Sequence, residues 1–123
     1  MTELQKEDIS VLDFIINELC KVGVYSIDVE YLKNKQVFNF GKKDFKSVDE
    51  LVFGEENEFK RLISIIDDFG CAEVNFNKYF NGEHSVRENQ KTANFLKLGG
   101  FENEFNKQQQ NSLREKNKIN YLI

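Results

Sequence analysis

The segment Asn57-Glu58-Phe59-Lys60-Arg61-Leu62-Ile63-Ser64-Ile65-Ile66-Asp67-Asp68-Phe69-Gly70 carries its apolar residues at spacings of three and four. Phe59, Leu62, Ile63, Ile66 and Phe69 therefore share one face of a helix. Gly70 stands where a left-handed residue ends such a helix, and Glu55, Glu56 and Glu58 crowd its leading end, where they complement the helix dipole. From Cys71 the period changes to two, with Ala72, Val74 and Phe76 on one face and Cys71, Glu73, Asn75 and Asn77 on the other. Asn81-Gly82 is a strong hairpin signal, and the return strand runs roughly from Glu83 to Arg87.

Working outward, residues 7–22 read as a first helix with Ile9, Leu12, Ile16 and Leu19 as its stripe, widened by Ile15, Cys20 and Val22. Asp13, Asn17, Glu18 and Lys21 mark its wet side, and Gly23 closes it. Val24 to Ile27 is extended, and residues 28–32 fit a helix or a strand equally. Ser47 and Glu50 have the spacing of a capping box and open a short helix that Gly54 breaks before the central one. Two helices in succession, the second longer and followed by a hairpin, give an α+β, winged-helix-like layout with a C-terminal β-hairpin wing. Lys91 to Leu98 adds a short helix with Phe95, Leu96 and Leu98 turned to the core. Residues 1–98 thus form the winged-helix-like domain, and residues 99–123 a helical tail or arm that docks through Phe101 and Phe105 and frays across Gln108-Gln109-Gln110.

The chain has 123 residues, 40% hydrophobic content and 12 Phe, enough for one modest core. No run approaches the length of a membrane span, and without a basic-then-apolar leader a cytoplasmic location is expected. Cys20 and Cys71 match no metal-ligand spacing and read as small buried thiols. The net charge of −4 is unevenly spread: residues 1–86 sum to −7 and residues 87–123 to +3. An acidic body argues against general polyanion binding.

For function, Lys33 to Lys46 is the most suggestive stretch, with Lys33, Lys35, Lys42, Lys43 and Lys46 around Phe38 and Phe40. Cations beside aromatic rings suit a single-stranded nucleic acid, charge for phosphate and rings for bases. The same pattern fits an edge strand whose Phe residues face the core while lysines guard the edge. On the wing, Lys78, Tyr79 and Arg87 could touch a partner, with His84 as an exposed wing residue. The exposed face of the central helix offers Lys60, Arg61, Ser64, Asp67 and Asp68, and the glutamates at its start would repel phosphate, which argues against duplex reading by that helix. No nucleophile–base pair, phosphate loop or ligand cluster emerges, so neither an enzyme nor a cofactor or metal is expected.

Ser47 to Phe105 resembles a loose class of short proteins of Bacteroidetes and their mobile elements. The resemblance rests on Asp67-Asp68-Phe69-Gly70-Cys71, the hairpin after it, and Thr92-Ala93-Asn94-Phe95-Leu96-Lys97-Leu98-Gly99-Gly100-Phe101. In that class a Phe-Leu-x-x-Gly-Gly-Phe element joins a winged-helix-like head to a helical tail that continues as a coiled coil or membrane anchor. The long charged helix is missing here, so no anchoring role is carried over. The class brings no chemistry with it. The expectation is a non-catalytic protein-binding module, a phage-derived or mobile-element adaptor or inhibitor of a nucleic-acid-handling protein. The alternative is a winged-helix nucleic-acid-binding regulator using the wing or Lys33 to Lys46.

Overall fold

The computed structural model describes residues 2–35, 48–77 and 84–121, with side chains at 2–35, 54–77 and 84–114. Phe38, Phe40, Lys42, Lys43, Lys46, Lys78, Tyr79 and the Asn81-Gly82 turn lie outside the described residues. The elements are α1 (Lys6–Leu19), α2 (Val29–Asn34), α3 (Val48–Phe69), β1 (Glu73–Asn75), β2 (Ser85–Arg87), α4 (Thr92–Lys97) and α5 (Gly100–Tyr121). This is an α+β arrangement, helices around a small antiparallel sheet.

The core forms where the apolar faces of α3 and α1 meet. Phe59, Leu62, Ile63 and Ile66 from α3 and Leu12, Ile15, Ile16 and Leu19 from α1 are buried together. Each such side chain contributes roughly 1.5–3 kcal/mol before its lost freedom is counted. α3 is a single helix that runs through Gly54, where the sequence suggests a break. A glycine inside a helix costs only about 1 kcal/mol, which packing overrides. Asp28 settles the ambiguous segment as helix: its Oδ1 accepts the Tyr31 N–H at 2.9 Å, an N-cap that a strand would not use.

β1 pairs antiparallel with β2, Val74 opposite Val86. Val86 is also bridged to Ile27, which exchanges two backbone hydrogen bonds with it. The sheet is thus three segments wide, with Ile27 and Val74 on either side of Val86. Cys71 is buried, as expected of a small buried thiol, and lies in the bend before β1 rather than on the strand face of Glu73. That bend is tied to α4 by Thr92, which is fully buried and donates from Oγ1 to the Cys71 carbonyl at 2.6 Å.

The wet side expected for α1 is wrong at two places. Glu18 is only 2% exposed, with the Lys21 ammonium 2.9 Å from its carboxylate, an ion pair that holds its carboxyl below the usual range. Asp13 reaches across to α5, where its carboxylate accepts the backbone N–H groups of Phe101 at 2.7 Å and Glu102 at 3.2 Å. A side chain from one helix thereby caps the N-terminus of another. Val22 is fully exposed beyond the end of α1, and Leu98 is 64% exposed rather than packed.

Phe101 is fully buried and meets Phe95 and Phe69 edge-on, with ring centroids 4.9 and 5.3 Å away. The helix does not fray at Gln108. That side chain accepts the Leu4 N–H at 2.8 Å and donates to the Thr2 carbonyl at 3.0 Å, while Thr2 donates to Asp68. Residues 2–4 are therefore strapped between α3 and α5.

Gly100 has φ +63°, and a Cβ placed on it would lie 2.5 Å from Asp13 Oδ1. The expected helix stop is thus also the opening through which Asp13 reaches its two N–H groups. Gly100→Ala is expected to lower stability by about 2–3 kcal/mol, the left-handed penalty plus the damaged cap. Asp13→Ala should cost about 1 kcal/mol, and the double variant less than the sum of the two, because both remove the same cap. Urea midpoints of the four proteins check this.

Candidate functional site

Three of the side chains singled out in the sequence are described, and each is engaged within the chain. Lys33, on α2, places its ammonium 3.1 Å from Glu55 and 3.7 Å from Glu30. Lys35 lies over the Tyr31 ring, 5.7 Å from its centroid. Arg87, at the end of β2, makes a two-pronged pair with Glu73 directly across the sheet, at 2.8 and 3.0 Å. Lys33 and Lys35 sit at the end of α2 and Arg87 on β2, each in a separate interaction, and the structure does not gather these three into one cationic patch.

The exposed face of α3 follows the same rule. The Arg61 guanidinium holds both oxygens of Asp8 at 2.8 Å and pairs with Glu58 as well. Those two carboxylates raise the Arg61 pKa further above its ordinary value. Ser64 donates its hydroxyl to the Lys60 carbonyl, and Asp68 is taken by Thr2. A helix whose arginine is clamped by two carboxylates offers little to a phosphate backbone.

Where α2 meets the third turn of α3, negative charge is in excess among the described residues. Among the described residues, Asp28, Glu30 and Glu55 act on Glu56 together with one ammonium, that of Lys33, which pairs with Glu55 and Glu30. Burial pushes the Glu56 carboxyl up, and the nearby charges of Asp28, Glu30 and Glu55 push it further, against Lys33. One oxygen of Glu56 is buried with no hydrogen-bond partner. The carboxylates do not converge as chelating ligands: among the described residues no group of three or more His, Cys, Asp or Glu could hold a metal ion. The arrangement is suited to attracting an external cationic surface.

A second feature lies on the outer face of the sheet. Two adjoining clefts of about 410 and 350 Å³ share Tyr25, Glu73 and Arg87. Val24 and Leu19 line one end, and Ser26 and Ser85 the other. Tyr25 is largely exposed beside the Arg87–Glu73 pair. Sequence reading passed over Tyr25 because a lone tyrosine in a short extended segment carries no periodic signal. It also missed the Glu56 cluster, half of which comes from α2, a segment it left undecided.

Neither thiol is primed for chemistry. Burial pushes Cys71 up to about 12, and burial and then Glu88 raise Cys20. His84 is a correction: it is 7% exposed, not an exposed wing residue, because it shares the inward face of β2 with Val86. Comparison with family models, curated proteins and solved structures gives no match. Among the described residues no helix is long and apolar enough to cross a membrane.

Glu56→Gln tests the charge excess directly. Its pKa is raised in the folded chain, so the ionised form costs stability at neutral pH, and that cost disappears once the group is protonated in both states. The substitution is expected to add roughly 0.5–1 kcal/mol at neutral pH, the scale of repulsion between partly exposed like charges. The gain should vanish well below the ordinary value of 4.5, as read from urea unfolding at the two pH values.

Proposed function

We propose that this chain is a winged-helix-like, non-catalytic protein-binding module, an adaptor or inhibitor that docks its acidic side on the basic surface of a nucleic-acid-handling protein. The order of elements supports the architectural half of this reading. A helix, an extended residue at Ile27, two helices and a hairpin follow one another, and the last strand lies between the other two sheet segments. That is the strand order a winged helix uses.

One observation carries the functional half. Among the described residues, Arg61, Arg87, Lys33 and Lys21 are each paired with carboxylates of this chain, while Asp28, Glu30, Glu55 and Glu56 have one lysine, Lys33, among them. The charge that the described side chains of α2 and α3 leave for a partner to meet is negative. A basic surface, such as one that normally grips nucleic acid, would be drawn to it from a distance and held by new ion pairs. Side-chain pairs made with such a partner would also relieve the repulsion around Glu56.

Fluorescence anisotropy with a labelled Lys/Arg-rich peptide, beside a labelled single-stranded oligonucleotide, tests the reading. The peptide should bind at low salt and weaken by about tenfold or more at high salt. Combining Glu30→Gln, Glu55→Gln and Glu56→Gln should weaken it by a similar factor, with the oligonucleotide unbound throughout. Absence of peptide binding, or binding indifferent to salt, would overturn the reading. Oligonucleotide binding abolished by Lys42→Glu, Lys43→Glu and Lys46→Glu would put the nucleic-acid regulator in its place.

A further inference from the structure

His84 is the only histidine and is nearly fully buried. Its Nδ1 accepts the backbone N–H of Asn77 at 3.1 Å, so the ring is neutral with its proton on Nε2. The bond joins the residue that follows β1 by two to the residue just before β2, at the Asn75–Ser85 end of the strand pairing. Phe76 packs edge-on against the ring, 5.8 Å between centroids. Among the described residues, the charged group that acts on the ring is Lys60 of α3, which bears the same sign as an imidazolium. Glu73 and Arg87, the charged residues of the strands, are bound to each other on the opposite face, and among the described residues no carboxylate pairs with His84.

We propose that His84 is a proton-operated latch on the hairpin: protonating the ring opens the 77–84 end of the β1–β2 pairing while the Ile27–Val86 bonds and the helices persist. The mechanism is a change of hydrogen-bond role. An imidazolium presents an N–H at Nδ1, where the Asn77 N–H already points, so two donors oppose each other. The new charge is also buried beside an aromatic ring and, among the described residues, meets an ammonium and no carboxylate. The buried ring gains access to water as the Asn77–His84 contact loosens. Retention of the Ile27–Val86 pair follows from its place on the far side of β2, away from the latch.

Burial first, and then Lys60, holds the imidazole below its ordinary value of 6.5. A neutral ring favoured by folding makes the latch fully closed above that value. It weakens as pH falls from there through the folded ring's own titration. One proton is involved, so opening increases by at most about tenfold per pH unit.

Amide hydrogen exchange by NMR from about pH 8 to about pH 5, corrected for intrinsic rates, reads this out. Protection at Asn77 and Ser85 should fall on acidification, while that at Ile27, Val86 and within α1 stays constant. His84→Gln, which keeps a neutral acceptor, should flatten the profile. His84→Phe, which keeps the burial and lacks the acceptor, should leave that end open at every pH. The wild-type ring, followed through its carbon-bound protons, should titrate below 6.5 with the same midpoint as the Asn77 amide shift. A flat wild-type profile, a His84→Gln profile as steep as wild type, or ring and amide midpoints that differ would overturn the proposal.

Discussion

Two backbone hydrogen bonds hold the fold's three parts in register: Ile27 N–H to the Val86 carbonyl at 2.8 Å, and Val86 N–H to the Ile27 carbonyl at 3.0 Å. Val86 also pairs with Val74, and its side chain is fully buried in the core shared with α1 and α3. The segment leaving α1, the hairpin leaving α3 and the helical core therefore meet at one residue. With Val86 fixed, parity places Ser85 and Arg87 outside and His84 inside. Both the outer clefts around Tyr25 and the buried imidazole follow from this register.

The charge pattern is laid over that frame. Several basic side chains are spent on internal pairs between elements: Arg61 joins α3 to α1, Lys33 joins α2 to α3, and Arg87 spans the two strands. Exposed pairs of this kind contribute little stability each, about 0–1 kcal/mol. Their larger consequence is to remove cations from the surface. Where α2 and the third turn of α3 bring Asp28, Glu30, Glu55 and Glu56 together with Lys33, the balance among the described side chains tips to negative. The acidic character of the body, a sum of −7 over residues 1–86, thus gains a local focus in the fold.

Much of the scaffold is legible in the sequence because periodicity reports burial. The α3 face from Phe59 to Ile66, the α1 stripe and the inward set of Val74 could be read directly. What could not be read are contacts between residues distant in the chain. Asp13 looks like a wet-side residue until α5 arrives with two unpaired N–H groups. Gly99-Gly100 looks like a stop until the Asp13 carboxylate is found against it. His84 looks like a wing residue because it adjoins an Asn-Gly turn, yet parity with Val86 turns it inward. For the candidate site, Arg87 lines both of the clefts around Tyr25, and the Glu56 cluster needed α2 to be known as a helix. Gly54 misled in the opposite direction, since its local preference is weaker than the packing of the helix around it.

The junction at Val86 is the claim on which architecture, surface and buried histidine all rest. The most direct measurement is a NOESY spectrum of the folded chain at neutral pH. A cross-peak between the amide protons of Ile27 and Val86, with both amides exchanging as slowly as those of α3, is the result expected of a hydrogen-bonded antiparallel pair. No such cross-peak, together with an Ile27 amide that exchanges like open loop, would contradict it.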